Sequence, residues 1–372
     1  MNKFSNKINV LINPTVQCNM NCIYCYNESN KSFDGKMSLT TLERIFELLC
    51  NNYEEVNIIW HGGEPLIMGL DFYEQAIALQ SKYTNNKITN KMQSNLTLLT
   101  DEMADFFAKN NVFIGGSFDG LQNEDFRGHS ELILKNREKL IRRGMQCGFI
   151  SVVSKQNVDY LLENYNFFKT LNLNYTMNMY IPTDMSNKSN LSLEPIGTAI
   201  KIKEFYDYWV HDVVCNIHVN YFERMLDFIY LHKKNVCKYC SCLGMWLGIR
   251  HDGQIFPCNR NFSERYSYGN IYDYDDIANV FKSDGFYLIL SEAVERRKKC
   301  QQCEIYDFCE GGCNNVAYSE NGIANNNGPS CYIMREVFKH ILYSTKTIDT
   351  NKNEYNPYFI RYYYRKKIKD DR

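Results

Sequence analysis

The chain has 372 residues, of which 44% are hydrophobic and 14% aromatic, enough for folded domains with a packed core. Lysine and arginine number 42 against 43 aspartates and glutamates, so the net charge of -1 predicts no general attraction to nucleic acid or anionic membranes. The sequence has neither an 18-residue apolar run nor the apolar core of a signal peptide. We predict a cytoplasmic protein, in whose reducing surroundings 15 cysteines indicate metal ligands rather than disulfides.

Strand and helix patterns alternate in the first half of the chain. Short apolar runs predict strands, and apolar residues spaced on one face predict helices. The predicted strands are 8–12, 56–60, 112–114, 147–153 and 175–181, and the predicted helices begin near Thr40, Thr100, Glu131 and Leu161. Thr40 and Glu43 have the spacing of a capping box. Repeated units of this length indicate a parallel sheet, either open or closed into a barrel.

The pattern changes after residue 182. Residues 183–192 are polar, as in a linker. Apolar residues then recur at helical spacing and are expected to face a core; they are Phe205, Trp209, Val213, Phe222, Met225 and Ile229. The tail from Lys346 ends in an aromatic and basic run, for which we predict a frayed or loosely packed end; docking of a peptide or an acidic leader is the alternative. Its members are Tyr358, Tyr362, Tyr363, Tyr364, Arg365, Lys366 and Lys367.

The first cysteine group, Cys18, Cys22 and Cys25, supplies three thiolates. A four-iron, four-sulfur cube takes one ligand per iron, so three ligands leave one iron open. An open iron can bind and cleave a cofactor, whereas a fully ligated cube only passes electrons. A structural zinc site and scattered buried thiols are the alternatives.

The second cysteine group lies between residues 237 and 331. Its densest part is a Cys-x2-Cys-x5-Cys-x3-Cys pattern over residues 300–313, which is specific for metal ligation. A zinc ribbon built from Cys-x2-Cys pairs is the alternative. The group comprises Cys237, Cys240, Cys242, Cys258, Cys300, Cys303, Cys309, Cys313 and Cys331.

Three short polar motifs, at residues 61–65, 93–95 and 117–120, are expected at the C-terminal ends of strands. In a β/α barrel the loops after the strands build the active site. The paired glycines of the first motif let backbone groups approach a ligand closely, although tight turns also use such pairs.

The stretch 18–25, with Tyr24 before the third cysteine, resembles the signature of the radical SAM enzymes. The resemblance implies a partial (β/α)6 TIM-like barrel whose open iron chelates S-adenosylmethionine and reduces it to a 5'-deoxyadenosyl radical. It also implies cofactor contacts at matching positions, although a solvated arginine and a core valine equally explain the last two of them. These positions are Tyr24, Gly62, Gly63, Glu64, Pro65, Ser94, Asn95, Ser117, Asp119, Arg127 and Val153.

The second cysteine group resembles the SPASM domain, a small cysteine-rich extension that binds two auxiliary clusters. By position, the first auxiliary cluster takes Cys237, Cys242, Cys258 and Cys313, and the second takes Cys300, Cys303, Cys309 and Cys331. Cys240 is an alternative to Cys237 or Cys242. Together with the triplet this implies three [4Fe-4S] clusters and leaves Cys50, Cys147 and Cys215 as buried or incidental thiols. The expected domains are the barrel at 1–195, a helical linker at 196–236, the SPASM domain at 237–340 and a tail at 341–372.

The sequence of residues 61–66, His-Gly-Gly-Glu-Pro-Leu, resembles the corresponding motif of maturases of ribosomally made peptides. We therefore predict an enzyme that abstracts hydrogen from a peptide and installs thioether or other side-chain crosslinks. The alternative enzyme is an anaerobic sulfatase-maturating type, which converts Cys or Ser to formylglycine. In that family an Asp follows the last upstream auxiliary-cluster cysteine, whereas this chain has Asn259 after Cys258. A neutral amide cannot take a proton as a carboxylate does. An iron-sulfur electron-transfer protein is the alternative from another class, disfavoured by the open iron.

The resemblance implies a precursor peptide or protein substrate and a flavodoxin- or ferredoxin-type reductant. Seventeen residues precede Cys18, which leaves no room there for a leader-recognition domain. Leader binding would then fall to a separate protein or to the barrel and SPASM surface. The motifs single out no catalytic side chain.

The ligand count gives the first test. Three four-iron clusters contain about twelve irons per chain. Replacing Cys18, Cys22 and Cys25 together by Ala should remove roughly a third of that iron and all cleavage of S-adenosylmethionine, because three ligands leave one iron of this cluster open to the cofactor. Iron analysis and chromatography of 5'-deoxyadenosine measure both. Cleavage that survives the triple substitution would move the radical-generating site elsewhere.

Overall fold

The computed structural model describes residues 6–27, 35–182, 189–234, 242–260, 262–321, 328–347 and 354–362. The chain divides into two compact units. The first comprises Met1–Phe118, Glu124–Cys147 and Cys242–Glu292, and the second comprises Asp119–Asn123, Gly148–Ser241 and Ala293–Arg372. The predicted domain boundaries at 195, 236 and 340 stay predictions. Within the described ranges, no helix is long and apolar enough to cross a membrane.

The described residues form eight strands and twelve α-helices. The strands are β1 (Lys7–Ile12), β2 (Glu55–Trp60), β3 (Lys87–Ser94), β4 (Phe113–Ser117), β5 (Phe149–Val153), β6 (Tyr175–Met179), β7 (Trp246–Ile249) and β8 (Ile255–Phe256). The helices are α1 (Leu39–Asn52), α2 (Leu70–Gln80), α3 (Asp101–Lys109), α4 (Asn123–Phe126), α5 (Ser130–Arg142), α6 (Leu161–Thr170), α7 (Pro195–Val210), α8 (Asn220–Leu231), α9 (Asp284–Cys300), α10 (Tyr306–Cys309), α11 (Asn314–Asn321) and α12 (Pro329–Ser344).

Strand β1 lies inside the parallel sheet of the first unit. It pairs in parallel with β2 on one side and β7 on the other, so that Ile12 lies opposite both Trp60 and Ile249. Strands β3 and β4 extend the sheet beyond β2, again in parallel, and β8 pairs antiparallel with β7. The carboxyl ends of β1 to β4 therefore share one edge of the sheet. The loops that carry the predicted motifs all begin there.

Two local features differ from the sequence-based expectations. Helix α1 is capped by Ser38, whose Oγ accepts a hydrogen bond from the backbone N of Thr41 at 3.0 Å, so the capping box predicted from Thr40 and Glu43 is wrong. Ser38 holds the extended N-cap conformation, whereas Thr40 already lies inside the helix. Strand β3 was not predicted, because its buried positions include the polar side chains Asn90 and Ser94 and give no apolar run.

The second unit contains the parallel pair β5 and β6 and a helical core. Aromatic rings of α7 and α8 fill this core: the ring centroids of both Tyr206 and Trp209 lie 5.3 Å from that of Phe222. Val213, predicted to face the core, is 48% exposed. That prediction is wrong because α7 ends at Val210, after which helical spacing no longer determines which way a side chain points.

The part of the C-terminal tail that the structure describes is docked rather than frayed. Asn356 is fully buried; its Nδ2 donates to the carbonyl of Trp209 at 3.0 Å, and its backbone N donates to Val210 O at 2.8 Å. Phe359 is buried as well. Residues 354–362 thus satisfy carbonyls at the end of α7, and the prediction of a loose end is wrong for them. The predicted basic run from Tyr363 to Lys367 lies outside the described residues.

Replacing Asn356 by Ala should destabilise the protein by about 1–3 kcal/mol, because a buried carbonyl at the end of α7 loses its donor. The matched control is Tyr358→Phe, which removes a hydrogen bond to Asn216 O at a more exposed position and should cost much less. Urea unfolding of both variants measures the difference. Equal stabilities would show that the tail contributes nothing to the α7 end.

Candidate active site

The three cysteines of the first group lie together in the loop after β1. Burial raises the pKa of the Cys18 thiol to about 11, the backbone N–H of Met20 opposes this, and the neighbouring charges of Glu64, Cys22 and Cys25 raise it further. The three thiols are therefore close enough to sense one another's charge. Three thiolates so placed repel one another unless cations neutralise them, which is the role of iron in a cluster. The donor set fits the implied cube, and ligation by these thiols stays a prediction.

A mononuclear metal site has a different geometry. Zinc holds each sulfur at about 2.3 Å and so draws its ligands into a tight tetrahedron. Among the residues that the structure describes, no three cysteine, histidine or acidic side chains are grouped in that way. A four-iron cube binds each thiolate at a separate corner and needs no such convergence.

Gly62 and Gly63 make their close approach to the cysteine loop itself. The backbone N of Gly63 donates to Thr15 O at 3.0 Å, and the N of Glu64 donates to Gln17 O at 2.7 Å. A Cβ on Gly63 would lie 1.9 Å from Gln17 O, and one on Gly62 would lie 2.5 Å from Thr15 O. The paired glycines are therefore required for the backbone before Cys18 to lie against the turn after β2.

Glu64 links the ends of β2 and β3 through a buried carboxylate. Its oxygens accept hydrogen bonds from Asn95 N at 2.7 Å, Ser94 Oγ at 2.8 Å and Leu66 N at 3.0 Å. Burial raises the pKa of Glu64 to about 7, although these three donors lower it. The side chain also caps the short 3-10 turn Pro65–Met68, whose Pro65 is buried. Four predicted contact residues thus form one connected group.

Asn95 holds the cysteine loop from the end of β3. Its Nδ2 donates to Asn19 Oδ1 at 3.0 Å, and Asn19 Nδ2 donates to Thr97 Oγ1 at 2.7 Å. Asn19 directly follows Cys18, so this network fixes the first ligand position. Neither Asn19 nor Thr97 was predicted from the sequence. Asn19 could have been suspected, because it is a polar residue directly after a predicted ligand cysteine.

Arg127 lies against the same loop. Its Nη1 donates to Cys22 Sγ at 3.7 Å, and its guanidinium carbon lies 5.1 Å from the centroid of the Tyr24 ring. The edge of Phe126 also packs against Tyr24 at 6.3 Å between centroids. Arg127 is therefore not the solvated arginine of the alternative reading. It places a fixed positive charge beside Cys22.

Asn259, Tyr26 and His61 form a partly buried polar row, in which Asn259 is buried and the other two side chains are partly exposed. Tyr26 was not among the residues singled out from the sequence. Asn259 Nδ2 donates to Tyr26 Oη at 3.3 Å, and Tyr26 Oη lies 3.4 Å from His61 Nδ1. Because Gly62 N donates to His61 Nδ1 at 2.8 Å, this nitrogen is an acceptor, and the Tyr26 hydroxyl donates to it as well. Burial, together with the charge of Arg260, lowers the pKa of His61 to about 4. Burial also raises the pKa of Tyr26. Every member of the row is therefore neutral at pH 7.

The remaining predicted cofactor contacts fall in both units. Ser117, in the first unit, accepts a hydrogen bond on its Oγ from Gln93 Nε2 at 2.9 Å. Asp119 and Val153 lie in the second unit, where Asp119 Oδ1 accepts from the backbone N of Val152 at 2.7 Å. Val153 is buried, in agreement with the core-valine alternative. Cofactor binding by these residues stays a prediction.

Four thiols of the second cysteine group lie close together in the second unit. Burial and the charges of Cys331, Cys300 and Cys303 raise the pKa of Cys309 to about 12. Burial, with the charges of Cys300 and Cys303 among its further causes, raises the pKa of Cys331 to about 11. This is the set predicted for the second auxiliary cluster, and as with the triplet the mutually repelling thiols fit a cationic cluster.

Of the ligands predicted for the first auxiliary cluster, Cys242 and Cys258 lie in the first unit. Both lie close enough to Tyr268 for their charges to raise its pKa, after burial as the main cause. Cys313 lies in the second unit. Cys237 and its alternative Cys240 lie outside the described residues. Cys50, Cys147 and Cys215 are buried, as expected for thiols without a metal.

Comparison with known proteins gives matches along most of the chain. The model of the radical SAM superfamily matches residues 12–168, and that of SPASM, an iron-sulfur cluster-binding domain, matches residues 232–304. The cysteine-type anaerobic sulfatase-maturating enzyme of Clostridium perfringens is 26% identical over 359 residues, which cover 90% of this chain and 96% of that enzyme. The serine-type enzyme of Bacteroides thetaiotaomicron is 26% identical over 347 residues, which cover 83% of each chain.

A solved structure, native anSMEcpe with bound AdoMet and Cp18Cys peptide, has a TM-score of 0.80 at 24% identity and covers 92% of this chain and 100% of its own. The likeness at this identity concerns the fold. Together with the two family models, it confirms the predicted fold class, a partial β/α barrel with a SPASM domain.

Gly63→Ala tests the contact between the glycine turn and the cysteine loop. The added Cβ has no room beside Gln17 O, so the loop must move. We expect the variant to lose about a third of its iron and its binding of S-adenosylmethionine while it stays folded. The control is Gly69→Ala, where nothing lies within 4 Å of the added Cβ and the backbone angles, φ 80° and ψ 168°, cost a non-glycine residue about 1–3 kcal/mol of stability. A Gly63→Ala protein with full iron content would contradict the steric argument.

Proposed function

Because this chain belongs to the radical SAM superfamily and carries a SPASM iron-sulfur cluster-binding domain, we propose that it oxidises a Cys or Ser side chain in a protein segment to formylglycine. Its cofactors are iron-sulfur clusters and S-adenosylmethionine. The observation that carries the proposal is the match to sulfatase-maturating enzymes across nearly the full length of both chains. Domain content alone would fit many peptide-modifying enzymes, so the substrate class rests on this match.

The two types of relative suggest which residue is modified. Both a cysteine-type and a serine-type enzyme match at 26% identity. The cysteine-type match covers more of each chain, 90% and 96% against 83% and 83%. We therefore propose a cysteine in a sulfatase-like segment as the first substrate to test, and a serine as the second.

The oxidation divides into a hydrogen-atom step and a proton step. When bound, the clusters and S-adenosylmethionine supply the radical that removes the hydrogen atom and the acceptor for the second electron. The side chains of the protein have to bind the peptide, exclude water and remove the proton of the substrate thiol or hydroxyl. A positioned proton acceptor is typically worth about a hundredfold to ten-thousandfold in rate.

Asn259 is the main departure from the sulfatase-maturating pattern. Its amide donates to Tyr26 Oη, which itself faces the unprotonated Nδ1 of His61. The row contains no carboxylate, and the lowered pKa of His61 makes its ring a weak base. We therefore expect slower formylglycine formation than an enzyme with an acid at this position would give.

A second candidate function is the crosslinking of a ribosomally made peptide, which the resemblance of residues 61–66 to peptide maturases supports. A thioether forms when a thiol and a carbon–hydrogen bond together lose one hydrogen atom, one proton and one electron, so this reaction needs a proton acceptor as well. A precursor peptide, a flavodoxin- or ferredoxin-type reductant and a separate leader-binding protein are the partners proposed for this case.

The test uses two peptides and two enzymes. The parent and Asn259→Asp proteins are each incubated anaerobically with reductant, S-adenosylmethionine and a Cys-x-Pro-x-Arg peptide, and aldehyde is measured by mass spectrometry after hydrazide labelling. We expect slow conversion by the parent. Conversion by Asn259→Asp should be about a hundredfold faster, because the new carboxylate accepts the proton.

The competing substrate is any Cys-rich peptide that sequencing finds encoded beside the gene. A loss of two hydrogens per crosslink in that peptide, with the sulfatase-type peptide unchanged in both enzymes, would replace the formylglycine proposal by the crosslinking one. Cleavage of S-adenosylmethionine without peptide is the control that both proteins are active in radical formation.

A further inference from the structure

Arg296 is a buried charge without a role in the function proposed above. It is only 2% exposed and lies in the last two turns of α9, four residues before Cys300. Side chains at positions i and i+4 lie on the same face of a helix. A guanidinium cannot lose its proton under ordinary conditions, so burial demands compensating charges and acceptors.

The guanidinium holds the loop between two predicted cluster ligands, Cys309 and Cys313. Its Nε donates to Gly311 O at 2.6 Å, and its Nη2 donates to Gly312 O at 3.3 Å and to Asn314 Oδ1. Glu310, Gly311 and Gly312 have φ values of 48°, 86° and 71°, so three successive residues are left-handed. Such a backbone cannot continue a helix or a strand, and Arg296 supplies hydrogen bonds that secondary structure would otherwise provide.

Three cysteines lie close enough to this guanidinium for their charges to act on it. Burial lowers the pKa of Arg296, and the charges of Cys313, Cys300 and Cys309 raise it. Cys300 and Cys309 belong to the set predicted for the second auxiliary cluster, and Cys313 to that for the first. Arg296 is thus placed to act on ligands of both.

One donor of Arg296 has no acceptor among the described residues. Nη1 is buried and makes no hydrogen bond, whereas Nε and Nη2 are fully engaged. Buried guanidinium donors are rarely left without an acceptor, because the lost hydrogen bonds to water are costly. The sulfur atoms of an auxiliary cluster are acceptors of the required kind and charge.

We propose that Arg296 is the residue that positions Cys309 and Cys313 and raises the reduction potential of the second auxiliary cluster, whose four predicted ligands lie in the same unit. Its Nε and Nη2 fix the Glu310–Gly312 loop, and its Nη1 donates to cluster sulfur. A buried positive charge favours the reduced form, which carries one more electron, and hydrogen bonds to sulfur act in the same direction. Electron acceptance during the reaction would then depend on this side chain.

The experiment measures potential and iron content rather than turnover. In the Cys18, Cys22 and Cys25 triple-Ala background, only auxiliary clusters remain, so an EPR-monitored redox titration reports on them alone. Arg296→Gln should decrease the ratio of reduced to oxidised cluster at a fixed potential at least tenfold, which is about 59 mV for a one-electron couple. Arg296→Lys, which keeps the charge but not the planar fork, should shift the ratio less and lose auxiliary iron as readily.

The matched control is Lys298→Gln. Lys298 lies on the same helix α9, but it is exposed and pairs with Glu295, with 2.8 Å between Nζ and Oε1. Its removal should leave both iron content and potential at the parent values.

The proposal is overturned if Arg296→Gln retains about eight irons and titrates at the parent potential. If Arg296→Gln cannot be loaded, Arg296→Lys decides: loss of auxiliary iron supports the positioning role, and parent iron with parent potential refutes it. These measurements do not involve the peptide substrate. They therefore test the role of Arg296 independently of whether the enzyme forms formylglycine.

Discussion

The close packing of the cysteine loop against the turn after β2 is the contact on which the first unit depends. Gln17 O accepts from Glu64 N at 2.7 Å and leaves no space for a side chain on Gly63. Through this contact the position of Cys18 is set by β2 and, through Asn95 and Asn19, by the end of β3. The parallel register brings the ends of these strands to one edge, so the sheet is the scaffold of the predicted cluster site.

Burial of charged or titratable groups is the recurrent cost of this architecture. Glu64 and Arg296 are both almost inaccessible to water. Backbone donors at the ends of β2 and β3 hold Glu64, and backbone acceptors between Cys309 and Cys313 hold Arg296. The two groups have opposite signs and serve different ends. Glu64 joins two strand ends, whereas Arg296 offsets the negative charge that thiolates bring to a buried site.

The neutral row of Asn259, Tyr26 and His61 differs from the acidic residue that the sequence resemblance to sulfatase-maturating enzymes implies after Cys258. An amide at position 259 is no proton acceptor of carboxylate strength, while its hydrogen bond to Tyr26 keeps a polar contact there. The match along most of the chain favours a sulfatase-type substrate, whereas the neutral residue at position 259 argues against efficient formylglycine formation. The Asn259→Asp comparison decides between them, because it measures how much a carboxylate at this position speeds proton removal.

The sequence alone determined the features that depend on local spacing. The Thr100 cap and most strands and helices are set by neighbouring residues, and there the structure agrees with the predictions. The cysteine spacings likewise come from the sequence alone, and the ligand sets that they predict stay predictions. Long-range contacts could not be predicted from the sequence. Asn259 and Tyr26 are 233 positions apart, and a side chain at Gly63 is excluded because the backbone of Gln17 occupies that space. Strand β3 was missed because its polar buried residues obey tertiary hydrogen bonding rather than a local apolar pattern. Arg296 was overlooked for the same reason, since only the folded chain shows which charge is buried beside which thiols.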